Sequence, residues 1–385
     1  LHRVDRRQRQ MCIRDRHDVI TSDLRLTNIG VNQTGGTSKY GILAGSYGVI
    51  KHIYLMDGQT VLSSSKHSNL WLAWKNVNRS NAFNDSLSSV VNNSVLGYFV
   101  DETENQISMN RTDRFTEIAN NSGWLSLKDV LPLLGSISSL HRKLMPNLKI
   151  VIEYDADFAH FARDNTGDYT SKRPTLCVDV IQDEGIANNL MANMPNNVVW
   201  TEIEHDEFVQ PIVPVSATTT HKTQLITHKV NGFDNKTLNR LLISKSNQDP
   251  TNDLNASLTT VIGNGGMGSL AVNQFKTNYV INYSPILTGK GVVGEGQRIA
   301  MLCDAWGNVN VAPTQNLIGS QGNADRYHNF VSKGGSLSYD GLFVGQRINQ
   351  LELQFERTGI YNGGTELQEN NALRVHIWGE VSKSM

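Results

Sequence analysis

Cysteine is scarce in this chain of 385 residues: Cys12, Cys177 and Cys303 are the only three. Three thiols so widely scattered support neither a disulfide framework nor a structural zinc site. None is needed for folding, since a chain of this length buries about 75% of its unfolded surface. No apolar run approaches the ~18 residues of a membrane helix, which excludes a helical membrane span. Charged residues are 18% of the chain and the net charge is −1. There is no stripe of Lys and Arg interleaved with aromatics, so direct reading of a nucleic-acid sequence is not expected. HExxH, CxxC, the GxSxG elbow and a Walker-type GxxxxGK[ST] are all missing, which removes the usual signatures of zinc proteases, thiol redox centres, serine hydrolases and P-loop enzymes.

What is abundant is Gly, at 32 residues, and Asn, at 39. Both tolerate positive φ and favour turns, so many turns joining short strands are expected. Charge is unevenly spread. The first 16 residues, LHRVDRRQRQMCIRDR, carry six Arg and two Asp, a local +4, and leave a body with 29 basic and 34 acidic residues at −5. The string Met11–Arg16 reads like a translated sequencing-library adapter. Residues 1–16 are therefore read as a non-native leader and set apart from the fold. No apolar segment with a cleavage site follows the basic residues, so the leader does not read as a secretory signal.

Most periodic segments have period two. In Tyr47–Leu62, Val49, Lys51, Ile53 and Leu55 share one face, and Asp57-Gly58 supplies a hairpin turn. Asn147–Phe158 and Pro174–Ile181 read as two further strands. Near the C-terminus, Ile348–Gly359 alternates Leu351, Leu353 and Phe355 with Glu352, Gln354 and Glu356, and Ala372–Val381 is expected to be its pairing partner. Helical spacing occurs three times: Leu70, Trp71, Trp74 and Val77; a capping pair Ser126/Asp129 before Val130–Leu134; and Ile186, Leu190, Met191 and Met194, ending at Pro195. The last falls between two strand-rich halves and places a boundary near 185–200. The expected architecture is all-β: two tandem antiparallel sandwiches over residues 17–190 and 195–385, with a few short helices. Both halves end in strand, loop, strand, a weak internal echo.

Candidate chemistry is thin. Gly263–Gly268 and Gly289–Gly294 each match GxGxxG, but neither sits in the strand–helix frame with a suitably spaced acid that a dinucleotide site requires. They read as surface loops. Glu202, Glu204, His205, Asp206 and Glu207 crowd one stretch that could hold a divalent cation, yet no companion His or Cys spacing accompanies them. A solvated strand edge is the expected role. Glu153, Asp155 and Asp157 share a strand face and offer the paired carboxylates of a glycosidase, or simply a wet strand end. Trp71 and Trp74 offer a sugar-stacking platform, or core at helical spacing. Cys177 reads as a buried small hydrophobe, and Cys303 has no evident base. His160, His221, His228 and His328 show no ligand spacing. Sequons such as those at Asn78, Asn110 and Asn235 are expected by chance in this composition. No catalytic, cofactor or metal residue is assigned, and no cofactor is expected.

Several blocks, in order, resemble the double jelly-roll major capsid protein of polinton-like viruses and virophages. They are YGVIKHIYLMDGQTVL with NLWLAWKNVNRSN, SLKDVLPLLGSI with MPNLKIVIEYDAD and RPTLCVDVI, and INQLELQFERTGIYN with NNALRVHIWGEVSK. The resemblance implies two eight-stranded sandwiches in tandem, a pseudo-hexagonal homotrimer, and trimers tiling an icosahedral shell around double-stranded DNA. It implies a virion location, neighbouring trimers, penton and cement proteins as partners, and no catalytic residue. Family members carry strands before the VITSDLRLTNIGV block, so a truncated first jelly roll and small outward loops are expected. The alternative is a carbohydrate-binding or carbohydrate-active sandwich; a secreted adhesin ranks third.

Overall fold

Leu148, Ile150, Ile152 and Tyr154 alternate with Lys149, Val151 and Glu153, and in the computed structural model the first set is buried while the second is half-exposed. That alternation recurs through a fold built almost wholly of antiparallel strands. The structure describes residues 9–12, 19–34, 45–72, 123–141, 144–155, 168–193, 197–211, 213–214, 216, 218, 221–247, 275–286, 295–306, 338–362, 365–366 and 373–384. Among these the chain divides into two compact units. One runs to Ile203 and takes in the chain from Ser382; the other spans Glu204–Val381.

The first unit contains β1 (Arg9–Cys12), β2 (Val19–Thr21), β3 (Arg25–Ile29), β4 (Val31–Thr34), β5 (Ile50–Asp57), β6 (Thr60–Lys66), β7 (Gly123–Ser126), β8 (Ser139–His141), β9 (Leu148–Tyr154), β10 (Asp168–Ser171) and β11 (Thr175–Cys177). One sheet has the order β1-β9-β5-β6. Part of the leader thus runs as an edge strand along β9, although composition had set it apart from the fold. The β5–β6 hairpin turns at Asp57-Gly58, where Gly58 has φ +58°, and Asp57 Oδ1 accepts from Asn147 N at 2.9 Å, which ties the turn to the start of β9. The other sheet face is assembled from shorter pieces: β10 lies on β4, β11 on β3, and a bridge from Val180 to Ile20 continues the same antiparallel line. Asn28, at φ +58°, marks the register shift between β3 and β7.

Between these faces lie Leu24, Leu26, Ile29, Ile53, Leu55, Leu125, Ile150, Ile152 and Trp200, all buried. Each such side chain contributes about 1.5–3 kcal/mol when removed from water. Val130, Leu131, Leu133 and Leu134 join them, but not through the expected cap. Ser126 makes no capping bond; Leu127–Asp129 form a 3-10 turn, and α1 (Pro132–Ser136) starts on a proline instead. Proline suits that place because its missing N–H would have no helical partner there.

The helix α2 (Glu184–Ala192) is present and capped by Asp183, which accepts from Ile186 N at 2.9 Å. Its apolar stripe does not reach the core: no residue of α2 is buried, and Ile186 is 54% exposed. Residues 68–72 are helical and buried as the spacing predicted, while Trp74 and Val77 lie outside the described residues. Cys177, expected to be buried, is exposed at the end of β11.

The division between the units falls inside β12 (Val199–Gln210), a few residues beyond α2. The second unit continues with β13 (His221–Val230), β14 (Lys236–Asn247), β15 (Phe275–Ile281), β16 (Ser284–Pro285), α3 (Glu295–Trp306), β17 (Ser338–Ile348), β18 (Leu351–Asn362), β19 (Thr365–Glu366) and β20 (Leu373–Ser384). The two sheets have the orders β12-β20-β14-β17 and β13-β18-β15-β16, with β19 added beside β18.

The pairs nest. Leaving out the short β19, the first strand pairs with the last, β13 with β18, β14 with β17, and β15 with β16. A long antiparallel hairpin wound over itself has this connectivity, and it is that of an eight-stranded jelly roll. The expected pairing of β18 with β20 is therefore corrected: they belong to opposite sheets and meet through the core, with Leu351, Leu353 and Phe355 across from Val375, Ile377 and Val381. Helix α3, absent from the sequence expectation, packs on β17 through buried Leu302 and Ala305. No helix among the described residues is long and apolar enough to cross a membrane.

Candidate functional site

The crowded stretch 202–207 lies on β12, which is an edge strand, as the sequence suggested. Of its acids only Glu207 is exposed; Glu202, Glu204 and Asp206 are not. Glu202 is fully buried in the first unit. Its carboxyl accepts from Ser64 N at 2.6 Å, from Ser63 Oγ at 3.1 Å and from the Trp200 indole Nε1 at 2.8 Å. Burial pushes this carboxyl above the ordinary glutamate value, against the pull of those three donors and of Lys383. Trp200 and Glu202 stand two residues apart and so leave the strand on one side, which is why the indole reaches the carboxyl.

Beyond Ile203 the same strand belongs to the second unit. Glu204 pairs with Lys236 Nζ at 2.7 Å. Asp206 Oδ2 lies 2.9 Å from His228 Nε2 and accepts from Asn231 N at 2.9 Å. Burial alone would raise the Asp206 carboxyl; the bonds from His228 and Asn231 outweigh it and hold the group below the ordinary aspartate value. Phe208 stacks on His228 at 4.2 Å and packs against Phe355, so this side of β12 faces the core.

The alternate residues of β12 form a second group. His205 Nε2 is 3.2 Å from His376 Nδ1 on β20, and that same Nδ1 is 3.4 Å from Glu207 Oε2. Trp378, two residues along β20, lies near-parallel to the His376 ring at 5.5 Å and 5.3 Å from His205. His376 and Trp378 are both buried. Sequence reasoning found His205 and Glu207 but not His376, because strand pairing alone brings it there.

Among the described residues the remaining sequence candidates do not converge. Asp155 is buried, and Asn69 Nδ2 donates to it at 2.9 Å. That anchors the end of β9; a glycosidase acid would need an open cleft. Asp157, both GxGxxG strings, Trp74, His160 and His328 lie outside the described residues. Trp71 is buried, as a core residue would be. His228 is satisfied by Asp206, and Cys303 lies half-buried on α3.

No protein-family model matches the chain, and no curated protein sequence matches it. Solved structures do. A quasi-atomic capsid structure of the virus PBCV-1 covers 100% of this chain and 96% of its own, at 13% identity and a TM-score of 0.52. The major capsid protein of mavirus covers 99% and 86%, at 8% identity and 0.51. PBCV-1 VP54, as fitted into a reconstruction of the virophage Sputnik, covers 98% and 90%, at 12% identity and 0.50. At these identities the likeness shows the fold: this chain is a double jelly roll, and both units take part in the match.

Proposed function

We propose that this chain is the structural subunit of an icosahedral viral shell, with no catalytic role. The observation that carries the reading is coverage. Capsid subunits of two viruses match the chain over 99–100% of its length, both units included. A single sandwich is shared by lectins and enzymes, whereas two jelly rolls in tandem narrow the choice.

The edges of the second unit support association. A sheet edge is normally blunted by charge or covered. Here the edge strands β12, β13 and β17 carry exposed Val209, Leu225 and Phe343, and Tyr283 and Ile286 flank β16. Closed cyclic symmetry would bury such edges. The subunit forms a homotrimer whose six jelly rolls give a pseudo-hexagonal outline, over obligate contacts of about 2,000 Å² or more. Neighbouring trimers, penton proteins and cement proteins are its partners in the virion. A body at −5 gains little from counterion release, so genome contact passes through other components.

Light scattering of the purified chain tests this. The expected species has about three times the 42.7 kDa chain mass and a hexagonal outline by electron microscopy. A stable, folded monomer at all concentrations would overturn the reading.

A further inference from the structure

His205 and Glu207 leave the same side of β12, and the neighbouring strand β20 delivers His376 to them. One donor atom from each lies within 4.8 Å of the others. Two ligands held at about 2.0–2.2 Å around a tetrahedral ion sit roughly 3.3–3.5 Å apart. The 3.2 Å between the two imidazole nitrogens and the 3.4 Å from His376 Nδ1 to Glu207 Oε2 are close to that spacing as they stand.

The donor types point the same way. A cation at the meeting point takes a lone pair from all three. Two imidazoles and one carboxylate suit zinc and its first-row neighbours; calcium and magnesium prefer oxygen alone. Trp378 lies against both rings and fixes their orientation. We propose that His205, Glu207 and His376 bind a divalent cation of the zinc type. Bound there, the ion clips the first strand of the second jelly roll to its last, closing a loop between residues 171 apart. The three proposed ligands all belong to the second unit of one chain, so the test is independent of whether the chain assembles.

The full chain, stripped with a chelator, is dialysed against zinc and its metal content measured. One zinc per chain is expected, with a rise in thermal midpoint, since a ligand that binds only the folded state stabilises it. Removing groups that merely orient metal ligands costs on the order of 10–100-fold in affinity, so losing a ligand itself should cost at least as much. Glu207→Gln, His205→Gln and His376→Gln should each weaken zinc binding by that factor and abolish the rise. His376 is buried, so its variant also perturbs the packing, whereas the Glu207 side chain is 44% exposed and its variant keeps the test decisive. Absence of saturable binding, binding by Glu207→Gln equal to that of the parent chain, or effective competition by magnesium would each overturn the proposal.

Discussion

Arg240 grips Glu380 through two nitrogens, with Nη2 at 2.6 Å and Nε at 2.7 Å from the same carboxylate oxygen. The pair joins β14 to β20. The guanidinium also stacks over the Trp306 ring at 4.2 Å and donates from Nη1 to Ala305 O at 3.2 Å, while the Trp306 indole donates to Leu241 O. One side chain thus ties the last strand, a central strand and the end of α3 together. Lysine matches the charge but has no planar fork to serve both partners and no face to stack on the indole. Arg240→Lys should therefore destabilise the chain by about 1–3 kcal/mol, close to the cost of Arg240→Ala. Urea unfolding reads this directly. A lysine variant with the parent midpoint would show that charge alone suffices.

Glu202 predicts a pH effect of definite sign. Its carboxyl holds a proton more tightly in the folded chain than at the ordinary value of 4.5. Between those two values the folded chain binds more protons than the unfolded one, so stability falls as pH rises. The contribution is complete below the unfolded value and is lost as pH climbs through the folded one. Glu202→Met strands the Ser64 and Trp200 donors, at a cost of about 1–3 kcal/mol, but has nothing to titrate. The gap in melting temperature between parent and Glu202→Met should thus be wider at about pH 5 than at about pH 8. An equal gap at both would mean that the carboxyl titrates alike in the folded and unfolded chain.

Local pattern and long-range pairing contribute differently to such a fold. The alternation of Leu148–Tyr154 and of Leu351–Phe355 is written in neighbouring residues, and both stretches are strands with the expected face buried. The partner of a strand is not written locally. Nested pairing sets β18 beside β13 and β15, although Ala372–Val381 follows it sooner and looks equally suitable. The same limit hid His376, which only the pairing of the first strand with the last brings to His205. Periodicity also misleads where a face has nothing to cover it, as with exposed Ile186 on α2. Helix α3 escaped because it follows a glycine-rich stretch and its apolar residues follow no stripe that the sequence reading picked out. Glu202, Glu204 and Asp206 looked wet because alternation reports which residues share a side, and says nothing of Ser63, Trp200, His228 or Lys236 waiting there.

Gly379 provides a test of how tightly the second sandwich is packed. It sits on β20 between the core residues Ile377 and Val381. A Cβ at this position would come within 2.0 Å of Phe233 Cε1 and 2.8 Å of Leu238 Cδ1, both on fully buried side chains. The Phe233 ring occupies the space a side chain would need. Overpacking a filled core costs about 1–3 kcal/mol and sometimes more, so Gly379→Ala should lower the denaturant midpoint by at least that equivalent with little change in slope. Phe233→Leu alone should also destabilise, by opening a cavity. Combined, the two changes should cost less than their sum, because the smaller side chain makes room for the new methyl group. Strict additivity would show that the ring is not the obstruction and that the strand can shift to admit the methyl on its own.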